Sequence, residues 1–208
     1  MNHQDILKTL LKNSDLMLEE LKKLEPAQNE VIASHTSELR VVFEHKDFSV
    51  STSNSTAMYG VRSIVNGRLG FITTNSNGED ALKAAAREAQ LVARLSTPSE
   101  NHRIAARPES FGHFEAVDTK LAEFTPREVC EFAEKVVQEA HRDKRVSVDR
   151  AEFSWNRSVW LVSNSNGFTQ SAAQATCGWF VMGMAKTENE VTSFDYDGAN
   201  VALKSEID

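Results

Sequence analysis

Two cysteines in 208 residues, Cys130 and Cys177, are too few for a disulfide framework, and neither sits in the Cys-x-x-Cys spacing of a structural zinc site. They read as reduced thiols that pack as small apolar groups. No apolar run approaches the ~20 residues that span a bilayer, and the longest candidate, residues 178–185, is of strand length. Residues 1–24 have no separate apolar stretch and no Arg, and they carry acidic residues throughout, which fits neither a secretory signal nor a transit peptide. The expected location is the cytoplasm. Basic residues are the minority, 23 Lys and Arg against 30 Asp and Glu for a net charge of −7, which argues against nucleic-acid backbone binding. Histidine is scarce too. His3, His35, His45, His102, His113 and His141 are scattered, none within three to five residues of another, so no helical zinc-ligand pair exists. A Gly-x-Ser-x-Gly elbow, a P-loop and a dinucleotide fingerprint are all missing. No catalytic residue and no metal ligand is assigned, and the chain is expected to be inactive alone.

Three smaller constellations merit weighing. His113-Phe114-Glu115 has the His-x-Glu of a deaminase without the Pro-Cys-x-x-Cys that must follow. His45 and Asp47 would share a strand face as a polar pair at a solvated edge. Asp195 and Asp197 would do likewise, but a hard cation wants more oxygens than two carboxylates offer.

The positive signals begin with an amphipathic N-terminal helix. Leu7, Leu10, Leu11, Met17, Leu18, Leu21 and Leu24 line one face, Ser14 interrupts the stripe, and Pro26 ends it. Short strands are then predicted at 31–36, 39–44, 48–52, 57–65 and 68–74, with Leu39, Val41 and Phe43 alternating against Arg40, Val42 and Glu44. Their close spacing implies antiparallel meanders, because a parallel crossover needs a dozen or more residues. Asn66-Gly67 predicts a type I′ hairpin, since both turn positions need φ above zero. Gly60 and Gly70 interrupt good strands and mark a bulge or a close backbone approach. Ser76 and Glu79 have capping-box spacing before a helix over 79–95 whose face is Leu82, Ala85, Ala89, Val92 and Ala93.

Residues 96–124, with Pro98, Pro108 and Gly112, read as a long connection. Thr125-Pro126-Arg127-Glu128 is a helix start with Val129, Phe132, Val136 and Ala140 on its buried face. Strands follow at 146–155, 158–163, 168–176, 178–187 and 191–195, the fourth of them covered on both faces. Helix followed by meander thus occurs twice, compatible with a duplicated unit. The fold class is α+β, a two-layer sandwich of antiparallel sheet and helices, with subdomains 1–95 and 125–208 allowed by the pattern.

The order Gly60-Val61-Arg62, Asn66-Gly67-Arg68, Gly70-Phe71 and a helix closing in Ala93-Arg94-Leu95-Ser96-Thr97-Pro98 resembles the N-terminal half of the TldD/PmbA family. Asp143-Lys144-Arg145-Val146, Ser163-Asn164-Ser165-Asn166-Gly167-Phe168 and Phe194-Asp195-Tyr196-Asp197 follow in the family's order. Members were first named modulators of DNA gyrase and are understood as paired subunits of a cytoplasmic metallopeptidase that trims unfolded peptides. The resemblance implies that 1–208 is an N-terminal domain without the family's C-terminal one. Its fingerprint positions, taken as structural, are Gly60, Arg62, Asn66, Gly67, Gly70, Asn164, Asn166 and Gly167. The zinc motif His-Glu-x-x-x-His of the TldD branch is not present, and residues 93–98 and 143–146 look closer to the PmbA branch, also called TldE. The implied partners are a TldD-type homologous subunit or a second copy of this chain, with unfolded peptide as substrate. Zinc is expected only in the TldD-type partner. The competing reading is a scaffold domain that assembles subunits without touching substrate.

Overall fold

Four strands run much longer than the sequence pattern predicts. In the computed structural model, which describes residues 3–45, 47–110 and 117–207, β1 is Gln28–Glu44, β2 Asp47–Val65, β4 Val146–Asn164 and β5 Thr169–Ala185. The shorter β3 is Arg68–Thr74 and β6 is Asp195–Val201. Breaks expected at 37–38, 53–56, 156–157 and 177 are absent, and polar residues beside the first and third of them are paired across strands. Thr36 Oγ1 lies 3.2 Å from Ser158 Oγ, and the Arg40 guanidinium donates to both oxygens of Glu152 at 2.6 Å. The last strand starts at Asp195 rather than at Val191, which makes only an isolated bridge to Lys186.

The six strands form one antiparallel sheet in the order β3-β2-β1-β4-β5-β6. Helices α1 (His3–Lys22), α2 (Glu79–Leu95), α3 (Thr119–Ala122) and α4 (Pro126–Ala140) complete an α+β fold. The chain divides into two compact units. One comprises Met1–Thr36, Thr56–Glu115 and Ser158–Ala173, the other Ser37–Ser55, Ala116–Arg157 and Gln174–Asp208. Each draws on both sides of the 96–124 connection.

In the first unit, β2 presents Ala57, Tyr59, Val61 and Ser63 to the helices, and all four are buried. Helix α1 buries Ile6, Leu10, Met17, Leu18 and Leu21 and tucks Asn13 and Ser14 into the same face, while Leu7 and Leu11 stay half-buried. Asn13 is satisfied there. It donates to the Tyr59 hydroxyl at 2.8 Å, which donates to Asn77 Oδ1 at 2.9 Å. Burial pushes the Tyr59 phenol up, and the Asn13 bond opposes it. Helix α2 buries Leu82, Ala85, Ala86, Ala89, Gln90 and Ala93. It lies so close to β3 that a Cβ on Gly70 would stand 1.9 Å from the Ala89 carbonyl oxygen. This is the close backbone approach predicted from Gly70. The start of α2 differs from expectation. Gly78 is the N-cap and makes no side-chain cap, whereas Ser76 Oγ accepts from the Gly78 amide at 3.2 Å.

The second unit is built on Leu39, Val41, Phe43, Val148, Ala151, Phe153, Trp155, Ala175 and Cys177, covered by Leu121 and Phe124 and by Val129, Ala133 and Val137 of α4. Edge-to-face aromatic pairs run from Phe48 to Phe43, Phe153, Phe132 and Trp179, with centroids 5.4 to 6.3 Å apart. Trp155 Nε1 donates to the Leu121 carbonyl at 2.7 Å, fixing α3 to the sheet. Residues 178–184 are half-buried rather than covered on both faces.

Candidate functional site

The predicted start of α4 forms as written in the sequence. Thr125 Oγ1 accepts from the Glu128 amide at 3.3 Å, and Glu128 Oε2 accepts from the Thr125 amide at 2.8 Å, a closed capping box with Pro126 in the first turn. Bonds from the Thr125 amide and hydroxyl hold the Glu128 carboxyl below its usual range. Past this turn, α4 buries Val129, Ala133 and Val137 but leaves Phe132 and Val136 half-buried, on the side facing the end of β5 and β6.

Between that side of α4 and the strand ends lies a groove of about 1450 Å³. Its floor is apolar, with Phe132, Val136, Trp179 and Val181, and Phe194 and Tyr196 stand at its border. Carboxylates from both walls reach it. Glu128, Glu131 and Glu139 come from α4, and Asp195 and Asp197 from alternate positions of β6, opposite Gly183 and Val181. Lys135 and Lys204 are its basic residues. Lys204 sits with Nζ 4.8 Å from the Phe124 ring centroid, while its amide donates to Asp118 Oδ2 at 2.7 Å. That amide, with those of Lys120 and Leu121, holds the Asp118 carboxyl low. An acid-rimmed apolar cleft beside an edge strand suits holding a polypeptide, since it offers area, charge and unpaired backbone together.

The eight fingerprint residues all lie in the first unit, and none of them lines this groove. Asn66 and Gly67 have φ of 49° and 73°, so the type I′ turn forms. The Gly67 carbonyl accepts from the Ser99 amide at 2.8 Å and lies 2.8 Å from His102 Nδ1, and the Arg68 guanidinium bonds the Ser96 carbonyl. At the other turn Gly167 has φ of 77°, and Asn164 Oδ1 accepts from the amides of Asn166 and Phe168 at 2.9 and 3.2 Å. The Asn164 and Asn166 side-chain amides both donate to the Ala105 carbonyl, at 3.0 and 3.1 Å. Two Asn-Gly turns thus clasp residues 96–105. Arg62 pairs with the buried Glu30 at 2.8 Å, and Gly60 leaves room for the Phe71 ring, which a Cβ there would meet at 3.1 Å. The turn residues of the fingerprint act as tethers, whereas Gly60 and Gly70 make room for close contacts.

The remaining sequence candidates resolve as follows. His45 has φ of 61° in the β1–β2 turn, and its Nε2 lies 4.0 Å from Asp149, so its pairing is with β4 rather than with Asp47. His113-Phe114-Glu115 lies outside the described residues. Cys177 is buried, which pushes its thiol up to about 11 and makes it a poor nucleophile, while Cys130 is only half-buried. Asp143 and Arg145 form a tight local pair that lowers the Asp143 carboxyl to about 2. Sequence reasoning missed the groove. Phe132, Val136 and Trp179 are apolar residues at ordinary core spacing, and only the shape of the fold leaves them half open.

The structure is thus a helix-backed antiparallel domain of the α+β class with a cleft at a strand edge. The comparisons agree on what it resembles. Residues 30–93 match the family described as PmbA/TldA metallopeptidase domain 1. TldE from Thermococcus kodakarensis superposes with a TM-score of 0.79 at 19% identity, over 91% of this chain and 43% of that one. A protein described as a modulator of a DNA gyrase from Thermotoga maritima MSB8 gives 0.80 at 14%, over 94% and 44%. Another such modulator, from Bacteroides thetaiotaomicron VPI-5482, gives 0.78 at 18%, over 94% and 46%. Residues 30–93 thus carry the sequence match to that family's first domain, and the chain shares the fold of these three structures. It spans less than half the length of each of these structures. No curated protein matches it in sequence.

Proposed function

We propose that this chain is the N-terminal, non-catalytic domain of a PmbA/TldE-type subunit, part of a cytoplasmic metallopeptidase complex that degrades unfolded peptides. The observation that carries the reading is the match of residues 30–93 to the metallopeptidase family's first domain, in a chain whose described residues bring no three His, Cys, Asp or Glu side chains to one point. These residues do not fit a zinc ion. Zinc ligands and the general base therefore belong, in this reading, to a TldD-type partner. The role left to this chain is to enclose and orient extended peptide. Its groove and its exposed edge strand support that role, because added strands are held by main-chain bonds that any sequence can make. Among the described residues no helix is long and apolar enough to cross a membrane.

Copurification from the native cell, followed by peptidase assays with and without each subunit, tests the proposal. The expected result is a complex with a TldD-type subunit in which activity needs both chains. Activity undiminished after removal of this chain would favour the scaffold reading instead.

A further inference from the structure

We infer that β6 is the strand to which the peptide adds, and that the groove beside it selects peptides carrying basic side chains at alternate positions. The inference rests on the peptide-holding role above and makes it specific.

The sheet has two edge strands, β3 and β6. The start of β3 is already engaged, because Arg68 bridges to Pro98 and the Ser99 amide bonds the Gly67 carbonyl. Strand β6 is open along its length, with Asp195 to Asn200 all exposed and Tyr196 at 76%. Its backbone is held in an unusual way. The amides of Tyr196 and Gly198 donate to Oδ1 of the aspartate just before each, at 2.9 and 2.8 Å. In an antiparallel ladder alternate amides turn from the partner strand, and these two alternate. The aspartates thus satisfy donors that an incoming strand would otherwise take, which keeps a free edge soluble until a peptide displaces them.

Charge then decides which peptide. Five carboxylates line the groove against Lys135 and Lys204. On α4 Glu131 pairs with Arg127, Glu139 with Arg142, and Glu128 is held by Thr125, so Asp195 and Asp197 are the carboxylates open to a peptide cation. An added strand sends every second side chain to the α4 side. A Lys or Arg there replaces the amide as partner of Asp195 or Asp197, while its aliphatic stem covers Trp179 and Val181. At ~3.3 Å per residue, the seven residues of β6 hold a peptide stretch of similar length.

Fluorescence anisotropy on the 208-residue chain tests this with three ten-residue peptides. One has Lys at alternate positions among Val, Thr and Ala, the second has Glu for Lys, and the third is the Lys peptide N-methylated at every second amide. The Lys peptide should bind about tenfold tighter than the Glu peptide, and the difference should shrink at 0.5 M salt. N-methylation should weaken binding by about tenfold, since it removes strand donors without touching the protein. The Asp195→Asn, Asp197→Asn double variant should lose most of the Lys preference and bind the Lys and Glu peptides alike. Equal binding of Lys and Glu peptides, indifference to N-methylation, or no binding at all would overturn the inference. The two readings fail separately. A complex whose activity needs this chain but ignores the double variant refutes only the β6 assignment.

Discussion

Helix α2 and helix α4 both lie on the same antiparallel sheet, yet one is sealed to it and the other leaves a cleft along one side. The difference follows from the size of the residues at the contact. Helix α2 offers Ala85, Ala86, Ala89 and Ala93 to Gly70, so backbone meets backbone. Helix α4 puts Phe132 and Val136 toward Trp179 and Val181, and a cleft remains. Small residues close a layer; large ones at its margin prop it open. In the function proposed above, the second arrangement is the one that holds a peptide.

The comparison is broken most severely at Gly70. Gly70→Val forces α2 off β3 and should destabilise by about 3 kcal/mol or more, read from the urea midpoint. A paired test sharpens the contrast. Ala89→Leu in α2 should cost about 2–3 kcal/mol, whereas Val136→Leu in α4 should change stability by less than about 0.5 kcal/mol, because the groove takes the added methylene. Next comes Gly67→Val, with φ of 73° and the Ser99 carbonyl oxygen 3.2 Å from where a Cβ would stand, at about 1–3 kcal/mol. An unchanged melting temperature would mean the clasp on residues 96–105 carries no stability. Thr125→Ala should cost about 1 kcal/mol through the lost cap of α4, visible as a lower helical signal on heating. The smallest effect is acidic. Asp143 falls from 3.8 to about 2 in the folded chain, so its contribution is present above pH 4 and is lost as pH drops through 2. Arg145→Ala should flatten that part of the melting-temperature profile.

Much of this was legible beforehand where one residue type has one physical use. The Asn66-Gly67 turn, the Thr125 cap and the face of α2 follow from backbone φ, amide satisfaction and period. Long strands were not legible, because residues 37–38, 53–56 and 156–157 are polar stretches that read as turns, and pairs such as Thr36 with Ser158 and Arg40 with Glu152 form only once β1 meets β4. The capping box at Ser76 failed for a related reason, since Gly78 caps the helix two residues later. The fingerprint residues were visible as a set, and the work of the turn residues as tethers was not, because Ala105 and Ser99 lend only main-chain atoms. The groove is a property of packing distance, which no local pattern encodes.

The pairing at the middle of the sheet also bears on how the chain folds. Strands β1 and β4 meet across more than a hundred residues, as in Ser165 to Asn29 and His45 to Asp149, whereas the β2–β3 and β5–β6 ladders join neighbours in sequence. Closing so large a loop carries an entropy cost that local hairpins avoid. The two outer meanders therefore have the kinetic advantage, and zipping of the central seam should set the refolding rate, with φ-values low at Val41 and Phe153 and higher at Val61 and Ile72.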